Sequence, residues 1–222
     1  MAQDVVLTRA VMRRKKWPGN PVCSFCQHIE TSQHLFFECS IARVIWRAIG
    51  VTLGTDLCPK NCWQFFVWCY SFIPDYERFY TVVLGAVTWS IWLARNRATF
   101  ENKMIKSPFE IVYSACSFLL YWAGLQPVEE VARLRLGAEM IRASTTKLMA
   151  MCEGARRATG DEGEVFSGWC CCCALHSALV VIGGVVLGSK SQAPRLGNFW
   201  KSTCFMFFWH LVFLPFPLVC NS

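Results

Sequence analysis

Charge is scarce in this chain. Asp, Glu, Lys and Arg make up 17% of its 222 residues, whereas 54% are hydrophobic, and an ordinary globular domain carries about 25% charged residues. Catalytic constellations are lacking as well. No Ser-His-Asp, Cys-His or paired-carboxylate arrangement stands out, and no Gly-rich loop is present to cradle a phosphate. Hydrolysis, nucleotide chemistry and a small-molecule substrate are therefore not expected, and the chain reads as a non-enzyme. Residues 1–16 lack an apolar run followed by a small-residue cleavage site, and lead instead into Arg9, Arg13, Arg14, Lys15 and Lys16. Secretion is not expected from such a start. There is no internal repeat.

Cysteine, by contrast, is abundant, with 14 residues. In a short secreted chain that number would signal a disulfide framework. With a nuclear or cytoplasmic setting favoured, the thiols are expected to be reduced and free to bind metal. Aromatics are plentiful too, with 10 Trp and 17 Phe. The charge is unevenly spread. Residues 1–160 hold 19 of the 22 basic and 12 of the 15 acidic side chains, so the whole net charge of +7 lies there. A modest basic excess suits contact with nucleic acid or an acidic surface without demonstrating it.

Four segments follow from this pattern. Residues 1–22 form a basic N-terminal arm closed by the turn signal Trp17-Pro18-Gly19-Asn20-Pro21. Residues 23–50 hold a metal-binding module that ends in a helix. Ser40 is a good N-cap, Ile41, Val44, Ile45, Ala48 and Ile49 line an apolar face, and Gly50 is the expected helix end. Residues 51–158 form a helical region. It starts with a loop to residue 62 and an aromatic segment over 63–73, broken at Pro74-Asp75. Helices are expected over 76–100 and over 108–122, the second opened by Ser107-Pro108. A last amphipathic helix runs to about residue 153, its charges alternating in sign on a solvated face.

Residues 159–222 form an apolar tail without caps, period or charged face. Its runs over 174–188 and 204–220 are marginal for crossing a bilayer, which takes about 20 apolar residues. The tail reads as a sequence never selected to fold, with a membrane hairpin as the rival. The fold class expected is thus mainly α: a small zinc knuckle, a helical region and a poorly structured tail.

The chemistry concentrates in Cys23, Cys26, His34 and Cys39, spaced Cys-x2-Cys-x7-His-x4-Cys. A Cys-x2-Cys pair lets one tight turn present two thiolates to a single ion, with Zn–S distances of about 2.3 Å. The seven intervening residues suffice for a reversal that brings the second pair back. On a regular helix His34 and Cys39 would lie about 140° apart, so the stretch between them is expected to be extended or irregular. Leu35, Phe36 and Phe37 would then cover the ion and dock on Ile45 and Trp46. Three thiolates and an imidazole fill a tetrahedral site, making the expected cofactor a structural Zn2+. The competing reading is a set of scattered buried cysteines in a Cys-rich chain. His28 is a weaker alternative to His34, since it follows Cys26 too closely to wrap round the ion.

These residues resemble the reverse transcriptase zinc-binding domain of plant LINE-type (non-LTR) retroelements. The likeness runs through Leu7-Thr8-Arg9, Trp17-Pro18-Gly19-Asn20 and Cys23-Ser24-Phe25-Cys26. It continues through Glu30-Thr31-Ser32-Gln33-His34-Leu35-Phe36-Phe37-Glu38-Cys39 to Ala42 and Ile45-Trp46, and His-Leu-Phe-Phe-x-Cys is its most specific string. Downstream, Trp89 to Phe100 is similar to the segment with Ile-Trp-x-x-Arg-Asn and a following Phe that comes after the domain in such elements. The resemblance covers residues 7–123, faintly to 158, and omits the tail. It implies a zinc-binding module that contacts nucleic acid or an adjoining polymerase. No Tyr/Phe-x-Asp-Asp polymerase motif occurs, so the chain reads as a truncated, retroelement-derived fragment.

For RNA or DNA, the candidate contacts are Arg13, Arg14, Lys15 and Lys16, with Trp17 to stack on a base. A solvated arm is the bland alternative. Arg95, Arg97, Lys103 and Lys106 form a second candidate strip, weighed against an ordinary charged helix end. Cys170 to Cys173 are adjacent and make a poor tetrahedral site by themselves. A zinc-stabilised protein-interaction module and a membrane-associated protein are the rival functions.

Overall fold

In the computed structural model, residues 6–52, 58–72, 74 and 77–159 are described. The four-cysteine run and both apolar runs of the tail lie outside them. The described residues form six α-helices: α1 (Arg9–Arg14), α2 (Ser40–Thr52), α3 (Cys62–Phe72), α4 (Glu77–Phe100), α5 (Pro108–Ala123) and α6 (Val128–Thr159). A π-helical turn, His34–Glu38, precedes α2. Among the described residues there is no strand, only an isolated antiparallel bridge between Val22 and Ile29. The protein is mainly α, as its sequence pattern implies.

Helix α4 is central. Tyr80, Val83, Leu84, Ala86, Val87, Thr88, Ser90, Ile91 and Ala94 are all buried, so burial wraps round the helix instead of following one stripe. A helix apolar on most sides belongs inside, and α4 accordingly packs against α3, α5, α6 and the π-helical turn. Helix α5 starts as its sequence dictates. The Ser107 Oγ accepts a hydrogen bond from the Phe109 N–H at 3.2 Å, with Pro108 at the first helical position. Helix α6 buries Leu134, Ala138, Ile141, Thr145 and Leu148, alternating steps of four and three residues that keep one narrow stripe against α5 and α2. Thr145, fully buried, returns its hydroxyl to the Ile141 carbonyl at 2.7 Å.

Three local expectations are corrected. Gly50 does not end α2, which continues to Thr52 with Gly50 buried inside it. The roughly 1 kcal/mol that glycine costs in a helix is outweighed by packing of the apolar face around it. The final helix runs beyond residue 153 to Thr159. The basic arm also contains a helix: α1 buries Val11, and Thr8 before it is fully buried. No helix among the described residues is long and apolar enough to cross a membrane.

Candidate metal centre

The site is built on a reversal between residues 21 and 30. The Cys23 N–H donates to the His28 carbonyl at 2.7 Å, and the Glu30 N–H to the Pro21 carbonyl at 3.0 Å, closing a short hairpin about the Val22–Ile29 bridge. Gln27 turns the chain in the left-handed region at φ 64°, donating its N–H to the Cys23 carbonyl at 3.2 Å. The Phe25 N–H points at the Cys23 sulfur at 3.4 Å, an arrangement that suits a thiolate in need of donors.

The return half is where local structure departs from expectation. Between His34 and Cys39 the chain is neither extended nor irregular but a π-helical turn, and the Cys39 N–H reaches the His34 carbonyl five residues back at 2.7 Å. A regular α-turn would splay these two side chains; the wider i→i+5 turn returns them to one side. Such turns are rare and concentrate at functional sites. Thr31 initiates this segment, its Oγ1 accepting from the His34 N–H at 3.1 Å.

Of the docking expected for Leu35, Phe36 and Phe37, the contact of Phe37 with Trp46 is formed, while Phe36 is half-buried. Leu35 is fully buried, and Phe37 stacks on Trp46 with ring centroids 5.6 Å apart. The Trp46 Nε1–H donates to the Phe36 carbonyl at 2.7 Å.

Cys23, Cys26, His34 and Cys39 are brought together: all four ligand atoms lie within 4.8 Å of one another. The Cys23 and Cys39 sulfurs are 3.9 Å apart, those of Cys26 and Cys39 3.6 Å. A tetrahedral ion with Zn–S bonds of about 2.3 Å separates its sulfurs by roughly 3.8 Å. The thiols therefore already stand at ligand spacing. The His34 Nε2 is 3.0 Å from the Cys26 sulfur, and a small outward shift of the imidazole would seat an ion between them. The donor set, three soft sulfurs and one imidazole, is that of structural zinc. His28 does not join the cluster. It is exposed, stacks on His34 at 5.7 Å, and places its Nδ1 2.9 Å from the Cys26 carbonyl.

Electrostatics favour a cation at this point. Three thiolates at this spacing repel, so ionisation is shared unequally. Cys26 is held well below the usual thiol range by hydrogen bonds from Cys23 and Cys39. Cys23 is pushed up to about 11, first by its hydrogen bond with Cys26 and then by burial. Cys39 is pushed up by its hydrogen bonds with Cys23 and Cys26 and by burial. A divalent ion would reverse this balance and deprotonate all three.

Near neutral pH the raised Cys23 and Cys39 thiols keep their protons until a metal displaces them, so affinity rises with pH and falls on acidification. Titration calorimetry of zinc at pH 7, in buffers of different ionisation enthalpy, is expected to register protons released as the metal binds. No proton release would contradict coordination by these thiols.

The nucleic-acid candidates sit beside the hairpin. Arg13, Arg14, Lys15 and Lys16 are exposed at the end of α1, where cations also complement the helix dipole. Lys16 adopts φ 67° and reverses the chain toward Trp17. Trp17 is half-buried, its ring lying so close over Gly19 that a Cβ there would meet it at 1.9 Å.

The second candidate strip is corrected. Arg95 is no surface cation: its side chain is 1% exposed and paired with Glu30, itself fully buried. The guanidinium donates through Nε and an Nη to Glu30 Oε1 at 2.9 and 2.7 Å. Lys103 instead pairs with Glu101 at the surface, at 3.0 Å. Sequence reasoning missed Glu30 and Arg95 as partners. The available signal was Arg95 standing directly after the uncharged, apolar stretch from Val83 to Ala94, since a buried charge requires a partner.

Comparison with known proteins matches residues 1–46 to the family described as zinc-binding in reverse transcriptase. Neither curated proteins nor solved structures gave a match. The family match and the three-cysteine, one-histidine cluster together support a zinc-binding module of the reverse transcriptase type at the N-terminal end.

Proposed function

We propose that this chain is a non-enzymatic, zinc-stabilised module descended from a plant LINE-type retroelement polyprotein, and that it binds RNA or DNA weakly through Arg13, Arg14, Lys15, Lys16 and Trp17. The observation that carries the reading is the convergence of the Cys23, Cys26, His34 and Cys39 ligand atoms within 4.8 Å. Four protein ligands complete a tetrahedron and leave no open position for a substrate or an activated water, which is the signature of a structural site. The non-LTR origin rests on the His-Leu-Phe-Phe-x-Cys string and on the downstream Trp89 to Phe100 segment. The nucleic-acid role is supported by four exposed cations in sequence beside a half-buried indole.

Purified protein is expected to hold one zinc per chain, and to lose it when Cys23 and Cys26 are both changed to Ser. Filter binding of RNA and DNA is expected to weaken steeply with salt, the slope shrinking by about one per phosphate contact removed as Arg13, Arg14, Lys15 and Lys16 are changed to Gln. Absence of zinc would overturn the module. Retained zinc with no binding at low salt would overturn the nucleic-acid role alone. That second outcome would favour a protein-interaction module, for which Trp63 and Val67 on α3, one helical turn apart and 59% and 42% exposed, offer an apolar surface.

A further inference from the structure

The family match ends at residue 46, yet the metal hairpin is fastened to the rest of the fold by a side chain far beyond that point. Glu30 lies midway along the return segment, four residues after Cys26 and four before His34. Its Oε1 accepts three hydrogen bonds: from the Arg9 N–H at 2.7 Å, and from Arg95 Nε and Nη2 at 2.9 and 2.7 Å. The Glu30 carbonyl also accepts from the Ala10 N–H at 3.3 Å. Arg95 in turn reaches the Leu7 carbonyl at 3.2 Å, and its guanidinium lies 4.9 Å from the Trp92 ring and 5.8 Å from that of Phe100. Arg9 donates to the Val22 carbonyl at 2.7 Å and to Thr99 Oγ1 at 3.2 Å, a second tie between hairpin and α4. One carboxylate oxygen thus joins the first turn of α1, the middle of the ligand-bearing segment and the last turns of α4.

We propose that Glu30 and Arg95 are positioning residues for the metal site, making the hairpin and the C-terminal turns of α4 a single metal-dependent unit. The proposal rests on the zinc reading of the cluster. Neither residue is among the four that converge. They act by holding the midpoint of the seven-residue segment that must double back from Cys26 to His34. With that midpoint fixed, less conformational freedom is lost when the ion closes the site, and affinity rises. The coupling is reciprocal. If docked α4 strengthens metal binding by some factor, bound metal strengthens α4 docking by the same factor. The burial of the pair makes this more than a surface contact, because an unfastened hairpin would leave the Arg95 charge unmatched inside the protein.

The test uses the full chain. Zinc affinity is measured by competition with a chromophoric chelator in the unaltered protein, in Arg95→Met, and in Arg95→Met with Glu30→Gln. Arg95→Met is expected to bind zinc about tenfold more weakly. The visible bands of the cobalt-substituted protein should keep their shape, because the ligands are untouched. Adding Glu30→Gln removes the stranded carboxylate and should recover part of the loss. Amide exchange in the unaltered protein supplies an arm that does not depend on any variant folding: removing zinc should raise exchange in residues 91–100 as well as 22–39. Unaltered affinity in Arg95→Met, or an exchange increase confined to 22–39, would overturn the inference and leave the zinc site standing. A chain that binds no zinc would overturn the underlying reading.

Discussion

A chain carrying Cys39→Ser is expected to bind no zinc at stoichiometric concentration and to lose ordered structure over residues 22–39. Cys39 is 1% exposed and closes the π-helical turn through its N–H bond to the His34 carbonyl, so its sulfur is delivered to the cluster by the backbone itself. A serine hydroxyl fits the space but supplies no thiolate, leaving three ligands where tetrahedral zinc takes four. Apart from the Glu30–Arg95 pair and the burial of Leu35 and Phe37, little else holds the segment. The hairpin has one isolated bridge and a few turn hydrogen bonds, and a piece of this size cannot bury enough apolar surface to fold alone. Structural zinc contributes on the order of 10 kcal/mol to folding in comparable peptides, more than any single side chain here. Zinc content and limited proteolysis check the prediction together. The variant should be cut within residues 27–33 while α5 and α6, which pack on each other, stay protected. A variant that retained one zinc per chain and resisted cleavage would remove Cys39 from the ligand set.

The parts of this structure that were legible in the sequence are those whose causes are local. The four converging side chains lie within 17 consecutive residues, and their spacing alone limits which chemistry they can support. Ser107-Pro108 opens α5 because an N-cap hydroxyl and a proline act on the very next turn. Longer-range causes were not legible. Nothing in the residues His34 to Glu38 distinguishes an i→i+5 turn from an irregular one. The turn is selected by the demands at its ends: His34 and Cys39 must face the same point, while Leu35 and Phe37 must be buried. Gly50 was a reasonable stop signal, overridden because α2 is packed against α5 and α6. Arg95 reads in the sequence as a surface cation because its partner lies 65 residues earlier in the chain. In sequence it resembles its neighbour Arg97, which is exposed; in the fold only one of the two faces inward.

Trp46→Ala is expected to destabilise the protein by about 3–5 kcal/mol, the range for truncating a large buried aromatic. Trp46 has no exposed surface and connects the metal module to the helical body through a run of rings. It stacks on Phe37 at 5.6 Å and tilts against Phe65 at 5.1 Å; Phe65 meets Phe66 edge-on at 5.7 Å, and Phe66 meets Tyr80 of α4 at 5.8 Å. Truncation removes the second of those five rings and opens a cavity that close-packed neighbours on a helix and a π-helical turn cannot collapse to fill. It also strips the Phe36 carbonyl of the Nε1–H donor at 2.7 Å. Trp46→Phe weighs the two losses differently, because it deletes the donor while keeping most of the ring volume. A cost of about 1 kcal/mol is expected there, the usual net worth of one such bond. Denaturant unfolding of the zinc-loaded protein measures both. Equal costs for the two variants would mean that the hydrogen bond, and not the packed rings, holds the π-helical turn to α2. If Trp46→Ala cost no more than about 1 kcal/mol, the run of rings could not be what joins the metal module to the helices behind it.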